Sequence, residues 1–133
     1  MRAPCGLLDT SVLIASESGR ELDRDAIPDE VAVSVVTVAE LQAGVLAAKD
    51  VETRARRLAT LDSIADLEPR QVDTEAAHVW ARLRVRLAEE GRRVNVNDLW
   101  IASVAVANGL PVVTQDADYD PLVDLGGPEV IRV

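Results

Sequence analysis

The chain has 133 residues, 48% of them hydrophobic, which fits one globular domain and excludes a disordered polypeptide. Its 23 acidic residues outnumber the 14 basic ones and give a formal net charge of −9, so a general electrostatic grip on nucleic acid or on an anionic membrane is not expected. The single cysteine, Cys5, excludes an internal disulfide and predicts a cytoplasmic protein, and the uncharged run 99–115 is shorter than the roughly 20 residues of a membrane span.

The first half of the chain shows two transitions from a buried strand to a helix. Residues 6–9 form a short apolar run that ends in an acid, after which a helix is expected to begin. Residues 31–36 are mostly β-branched, which predicts a second strand buried on both faces. The pattern Thr37-x-x-Glu40 is typical of a helix start, and residues 51–64 predict an amphipathic helix with a basic outer face.

The second half alternates helices and strands in the same way. A weak third strand is expected near Leu67, and Asp73 or Thr74 is expected to cap a long helix that ends at Gly91. Asp98 opens an apolar helix, which is followed by a strand over 112–114. This alternation predicts an α/β sandwich around a mainly parallel sheet. The buried stripe of the long helix is predicted to comprise Ala77, Trp80, Leu83, Leu87 and Ala88.

Four acids stand at matching places in this pattern. Asp9 follows the first strand, Glu40 lies in the helix after the second, Asp98 opens a helix, and Asp116 follows the strand over 112–114. In an open parallel sheet, strand carboxyl ends and the following helix starts share one edge, so these acids are expected to converge in one crevice.

Converging carboxylates repel one another, and a hard divalent cation removes that repulsion. Two carboxylates about 4 Å apart repel by roughly 4 kcal/mol at an effective dielectric near 20. Mg²⁺ and Mn²⁺ prefer oxygen ligands, whereas a zinc site would need more than His78 and Cys5. The chemistry expected of such a site is metal-assisted phosphodiester hydrolysis. Three hydroxyls next to the acids are candidates to hold water or a phosphate oxygen, namely Thr10, Ser11 and Thr114.

Other interpretations of the acids stay open at this point. A capping box would make Glu40 purely structural, and Asp98 is also a typical N-cap. A Mg²⁺-dependent phospho-acceptor signalling domain has a similar acidic pocket but needs a lysine near a late strand, and the only lysine is Lys49. A dehalogenase-like phosphatase needs a second acid two residues after the first, where this chain has Ser11.

The successive motifs resemble those of PIN-domain nucleases, in particular the VapC toxins of toxin–antitoxin pairs. They read Leu-Leu-Asp9-Thr-Ser, Ser34-x-x-Thr-x-x-Glu40-Leu, Asp98-Leu-Trp-Ile-Ala and Val-Val-Thr-Gln-Asp116. The resemblance implies one PIN domain over 1–133 with a three-layer α/β/α sandwich. It also implies that the quartet Asp9, Glu40, Asp98 and Asp116 binds Mg²⁺ or Mn²⁺ and is catalytic, with Asp118 as an additional metal ligand.

The function implied by the resemblance is that of an endoribonuclease acting on RNA, with transfer or ribosomal RNA as the expected substrate. A homodimer inhibited by a VapB-like antitoxin is also implied, and an inactive PIN-fold binding protein is the alternative. The antitoxin is expected in an apolar groove beside the helices that follow Glu40 and Val51. Candidate groove or core residues are Leu41, Val45, Leu46 and Leu58.

RNA contacts are expected on arginines, because the chain has no phenylalanine and offers little surface for base stacking. Residues 82–93 carry a local net charge of +3. A solvated helix face is the alternative interpretation of this segment. The arginines concerned are Arg82, Arg84, Arg86, Arg92 and Arg93.

Overall fold

A computed structural model describes residues 4–133, and in this part of the chain five α-helices flank a four-stranded sheet. The strands are β1 (Cys5–Leu8), β2 (Glu30–Ala32), β3 (Val112–Thr114) and β4 (Val130–Arg132). The helices are α1 (Thr10–Glu17), α2 (Val35–Ala47), α3 (Val51–Asp62), α4 (Thr74–Glu89) and α5 (Val96–Ala107). Short 3₁₀ turns span Arg24–Ala26 and Asp120–Leu122. None of the helices in residues 4–133 has the length and apolarity required to cross a membrane.

The sheet is parallel throughout, with strand order β2-β1-β3-β4. Leu7 of β1 lies between Ala32 of β2 and Val112 of β3 in the hydrogen-bonded register. Every strand therefore points the same way, and the carboxyl ends of β1, β2 and β3 share one edge. The predicted parallel sheet is confirmed.

Alternating strand residues divide the core into two layers, one on each face of the sheet. Leu7 and Val112 are fully buried in a cluster with side chains of α4 and α5. Leu8 and Val113 are buried in a second cluster with side chains of α1 and α2. Because both faces are covered, the strands read as continuous apolar runs. The three-layer α/β/α sandwich is confirmed.

Helix α4 begins and ends where its signals predicted. The side chain of Asp73 accepts a 2.9 Å hydrogen bond from the backbone N–H of Ala76, and Gly91 follows the helix with a φ of 63°. The buried stripe agrees with the prediction at Leu83 and Leu87 but differs elsewhere, because Ala76 and Val79 are buried whereas Ala77 and Ala88 are exposed. Trp80 is half-buried and stacks on Trp100, with ring centroids 4.8 Å apart.

The second strand is shorter than predicted, and the prediction that it extends over 31–36 is wrong. Strand β2 is a three-residue edge strand, and Val35 already begins α2. The side chain of Ser34 caps this helix by accepting a 3.2 Å hydrogen bond from the backbone N–H of Thr37. This cap overrides the β preference of Val35 and Val36.

The predicted third strand near Leu67 is wrong as well. That segment forms a turn, and Arg70 alone makes a single parallel bridge, to Ser34. Pro69 has no backbone N–H to donate, which limits longer pairing here. Strand β4, which the sequence pattern did not reveal, instead pairs with β3 at the other side of the sheet.

Candidate active site

All four predicted acids lie at the carboxyl-end edge of the sheet. Asp9 follows β1 and occupies the N-cap position of α1, yet its side chain makes no capping hydrogen bond. Asp116 lies two residues beyond β3, Glu40 lies in the second turn of α2, and Asp98 is the third residue of α5. The fold therefore presents carboxylates from four separate segments at one edge.

Asp9 is the buried centre of the site. Its side chain is 4% exposed, and each carboxylate oxygen accepts one hydrogen bond. The hydroxyl of Tyr119 donates to Oδ1 at 2.8 Å, and the hydroxyl of Thr114 lies 3.0 Å from Oδ2. Both donors are fully buried neutral hydroxyls, so Asp9 is hydrogen-bonded without an opposing cation.

Thr114 links Asp9 to two further side chains of the site. Its Oγ1 lies 3.2 Å from Oδ1 of Asp116 and 3.2 Å from Oγ of Ser11. A threonine hydroxyl has one proton, so it donates to only one of these acceptors at a time. Ser11 Oγ in turn accepts from the backbone N–H of Gln115 at 3.1 Å. Two of the three hydroxyls predicted beside the acids, those of Thr114 and Ser11, therefore belong to one hydrogen-bond network with Asp9.

The third hydroxyl, that of Thr10, holds Glu40. Thr10 Oγ1 donates to Oε1 of Glu40 at 2.7 Å and lies 3.0 Å from Oγ1 of the buried Thr37. The amide of Asn97 donates to Oε2 of Glu40 at 3.4 Å. Because Ser34 is the cap of α2, the interpretation of Thr37 and Glu40 as a capping box is wrong.

Asp98 does not cap its helix either. Asn95 is the N-cap of α5, and its side chain accepts from the backbone N–H of Asn97 at 2.9 Å. The N-cap interpretation of Asp98 is therefore wrong, and its carboxyl group remains available to the acidic cluster.

The acids are close enough to perturb one another. Partial burial, followed by the charges of Asp9 and Asp118, raises the pKa of Asp98 to about 7. Partial burial and the charge of Asp116 raise the pKa of Asp118, and a hydrogen bond from Asp98 offsets part of this rise. The ion pairs described within residues 4–133, Arg92–Asp124 and Arg132–Asp120, do not include the quartet. The cluster therefore has an unneutralised negative charge.

The donor chemistry of the cluster fits a hard divalent cation. Carboxylate and hydroxyl oxygens surround Asp9, and Mg²⁺ typically uses one or two protein carboxylates together with waters. Within the described residues, no three His, Cys, Asp or Glu side chains are arranged as a ready-made metal cage. The set thus suits an ion that keeps part of its water shell, rather than one enclosed by protein ligands.

Tyr119, Asn97 and Thr37 are site residues that the sequence interpretation missed. Each contacts an acid or its hydroxyl partner across 27 to 110 residues of sequence. The one available signal was Tyr119 itself, because a buried tyrosine hydroxyl usually finds a hydrogen-bond partner.

The predicted RNA-binding arginines fall into two groups. Arg86 donates to the carbonyl of Leu125 at 2.9 Å, and Arg92 pairs with Asp124, so both tie the C-terminal segment to α4. The other predicted arginines, Arg82, Arg84 and Arg93, are exposed. Arg84, Arg92 and Arg93 line a cavity of about 710 Å³ that also includes Leu99, the residue after Asp98.

A second cavity, of about 610 Å³, is a groove between α1, α2 and α3. Of the candidate groove residues, Leu41 and Val45 are buried, whereas Leu46 is 74% and Leu58 44% exposed. Glu40 is one of its lining residues, so the groove adjoins the acidic cluster. Its lining consists of Ile14, Glu17, Ser18, Glu40, Leu41, Gly44, Arg56 and Arg57.

The fold and the acidic edge define a class of protein that comparison with known families identifies. The family model described as PIN domain matches residues 6–123. The chain therefore belongs to the PIN-domain family, within its VapC branch. It is 60% identical to Ribonuclease VapC5 and 43% identical to Ribonuclease VapC4, both of Mycobacterium tuberculosis, over 96% of this chain and 95% of each relative.

Solved structures agree with this assignment. The crystal structure of VapBC-5 from Mycobacterium tuberculosis, a member of the VapBC family of toxin–antitoxin systems, matches with a TM-score of 0.92 and 56% identity. That match covers 98% of this chain and 100% of the other. The DNA-bound VapBC of Salmonella typhimurium matches with a TM-score of 0.79 and 27% identity over 98% of both chains. The resemblance to VapC toxins is confirmed.

Proposed function

We propose that the chain is a Mg²⁺- or Mn²⁺-dependent endoribonuclease, with transfer or ribosomal RNA as substrate, and that a VapB-like antitoxin inhibits it. The observation that carries the proposal is the convergence of Asp9, Glu40, Asp98 and Asp116 at one sheet edge, where no basic side chain among residues 4–133 forms an ion pair with them. The relatives named ribonucleases support it, because they align over 95% of their length.

The four acids would be the ligands of the divalent ion, and their neighbours would orient them. Asp9, Asp98 and Asp116 would hold the divalent ion together with Glu40. Thr10 and Asn97 orient the Glu40 carboxylate by hydrogen bonds to its two oxygens. When bound, such an ion supplies Lewis acidity that activates water and offsets charge on the phosphate. Burial and the neighbouring carboxylates raise the pKa of Asp98 to about 7, so in the metal-free protein its carboxyl group holds a proton to a higher pH than a free aspartate does.

The proposal is tested by incubating the purified protein with total RNA in EDTA, Mg²⁺ or Mn²⁺. We expect internal cuts in one or a few RNA species with either metal and none in EDTA. Cleavage that is equally fast in EDTA would refute metal dependence, and intact RNA under all conditions would favour the inactive PIN-fold alternative.

The phospho-acceptor alternative gains no support from the structure. Lys49 is exposed in the loop between α2 and α3. Helix α2 begins at the edge of the sheet that carries the acids, so Lys49 lies at the opposite end of this helix. The lysine that such a domain needs near its acidic pocket is therefore missing.

RNA backbone contacts are proposed at the arginine cavity. Arg84, Arg92 and Arg93 line one concavity that also includes Leu99 of α5, the residue after Asp98. Arg92 is engaged with Asp124, whereas Arg93 is exposed and pairs with no side chain among residues 4–133. Phosphates of a bound strand would supply the missing negative partners.

Arg84→Ala combined with Arg93→Ala is expected to weaken RNA binding. Each lost phosphate contact should lower the slope of log affinity against log salt by about 1. The measurement is RNA affinity of a cleavage-inactive variant from 50 to 200 mM salt, with Arg20→Ala as a control for an exposed arginine elsewhere. An unchanged salt slope in the double variant would contradict the placement.

The groove between α1, α2 and α3 is proposed as the antitoxin surface. It combines apolar Ile14, which is 44% exposed, with two basic side chains, Arg56 and Arg57. It reaches Glu40, so a segment seated there would also obstruct the acidic cluster. An amphipathic segment that places an apolar side chain against Ile14 and an acidic one against Arg56 fits this lining. The homodimer stays a prediction.

Ile14→Asp is expected to weaken antitoxin binding by about tenfold or more, because it places a charge on the apolar part of the groove. The measurement is calorimetric titration with the cognate antitoxin. Val72→Asp is the matched control, since Val72 is similarly exposed, at 39%, but lies outside the groove. Equal affinities of the two variants would argue for a different docking surface.

A further inference from the structure

Tyr119 combines two roles that a core residue rarely has together. Its ring is fully buried in the cluster beneath α4 and α5, next to Leu122. Its hydroxyl nevertheless leaves that apolar layer and donates to Oδ1 of Asp9 at 2.8 Å. The contact joins residues 110 positions apart in sequence. It therefore connects the C-terminal segment directly to the acid at the centre of the site.

Asp9 is held at both oxygens by hydroxyls from separate segments. Tyr119 holds Oδ1, and Thr114, at the end of β3, holds Oδ2 at 3.0 Å. Both donors are fully buried, and packing fixes their positions before any ligand arrives. Two fixed donors on two oxygens determine the plane of the carboxylate, whereas one donor would leave it free to rotate.

The tyrosine hydroxyl is a permanent donor. Among residues 4–133 its acceptor is Oδ1 of Asp9, so its one proton is committed to that oxygen. Thr114 differs, because its one proton is shared between Asp9 and Asp116 as acceptors. Tyr119 is thus the constant member of the pair.

We propose that Tyr119 is a positioning residue that, with Thr114, forms a two-hydroxyl clamp orienting the Asp9 carboxylate toward a divalent cation. The inference rests on the proposed metal-dependent function. The unused lone pairs of both oxygens remain available for the cation, because each hydroxyl occupies only one of them. Groups that orient metal ligands typically change metal affinity or activity by about 10- to 100-fold when they are removed.

A clamp role and a packing role for Tyr119 predict different effects of replacing it with phenylalanine. Phenylalanine retains the buried ring of Tyr119 and removes only the oxygen that contacts Asp9. A residue needed solely for packing would tolerate this change at the site. A clamp residue would not, and the loss would appear in metal affinity and kcat, while KM for RNA would stay unchanged because Tyr119 is buried away from solvent.

The test is calorimetric titration with Mn²⁺ of the wild type, Tyr119→Phe and the control Ser103→Ala. Ser103 has a fully buried hydroxyl that donates to the backbone carbonyl of Leu99. Its substitution by alanine therefore also removes one buried, hydrogen-bonded hydroxyl, but outside the acidic cluster. We expect Mn²⁺ to bind Tyr119→Phe about tenfold or more weakly than the wild type, with the control unchanged. Circular dichroism reports whether each variant is folded.

A second pair of variants keeps the test decisive if Tyr119→Phe does not fold. Thr114→Val should weaken Mn²⁺ binding, and Thr114→Ser should restore it, because only serine returns the hydroxyl. Wild-type affinity in a folded Tyr119→Phe, or equal affinities of the two Thr114 variants, would overturn the clamp and leave the nuclease proposal standing. A wild type that neither binds Mn²⁺ nor cleaves RNA would overturn both.

Discussion

Asp9→Asn is expected to lower the rate of RNA cleavage by at least ~100-fold while the protein remains folded. Asn has nearly the shape of Asp: its Oδ1 can accept from the hydroxyl of Tyr119, and the hydroxyl of Thr114 can turn to accept from its Nδ2. What is lost is the negative charge at the buried centre of the site. Cation binding and water activation should therefore fail together.

The measurement is the initial rate of cleavage of total RNA at saturating Mn²⁺, with far-ultraviolet circular dichroism as the check on folding. Asp66→Asn is the matched control, since Asp66 is exposed in the turn after α3 and undergoes the same chemical change. We expect wild-type cleavage by the control. Full cleavage by Asp9→Asn would show that the acidic cluster is not the catalytic centre.

Asp98→Asn is expected to stabilise the metal-free protein, whereas most substitutions destabilise a protein. Burial and neighbouring carboxylates raise the pKa of Asp98 from 3.8 to about 7 in the folded protein. The folded state therefore binds this proton more tightly than the unfolded state does, and metal-free stability falls as the pH rises from about 4 to about 7. Asparagine carries no charge at any of these pH values, so the stability of the variant should not fall in this way as the pH rises.

At pH 8 in EDTA, the variant should be more stable than the wild type by about 2 kcal/mol, after discounting the shift for the partial exposure of Asp98. That difference corresponds to a Tm higher by on the order of 5 °C. At pH 5 the difference should be smaller, because Asp98 is then still protonated in the folded state and only the unfolded state has lost its proton. The variant should also lose most of its cleavage activity.

Thermal melts of both proteins in EDTA from pH 5 to pH 8 provide the comparison. Adding millimolar Mn²⁺ should raise the Tm of the wild type and leave that of the variant nearly unchanged. A wild-type Tm that does not fall relative to the variant between pH 5 and pH 8 would contradict a strained cluster of carboxylates.

The fold was predictable where local signals agreed with the tertiary structure. Helix α4 begins after Asp73 and ends before Gly91, as expected of a capping aspartate and a C-terminal glycine. The apolar run before Asp9 forms a central strand. The prediction was wrong at Val35 and Val36, where β preference lost to the cap provided by Ser34. Propensity alone does not reveal which of two adjacent elements takes such a residue.

The candidate site was predictable from the position of its acids, but not from its hydrogen bonds. Asp9 and Asp116 each follow a strand of a parallel sheet, and that topology alone brings them to one edge. The bonds from Tyr119 to Asp9 and from Asn97 to Glu40 span 110 and 57 residues, and no local pattern encodes them. Arg92 similarly meets Asp124 only after the C-terminal segment has packed against α4.

The measurement that tests the central claim most directly is an anomalous difference map from crystals of the protein grown with Mn²⁺. A peak bonded to a carboxylate oxygen of Asp9 and to Asp98 or Asp116 is the predicted result, because these acids lie together at the carboxyl end of the sheet. No peak at this cluster, at Mn²⁺ concentrations that support RNA cleavage, would contradict the claim that the cluster recruits the catalytic cation.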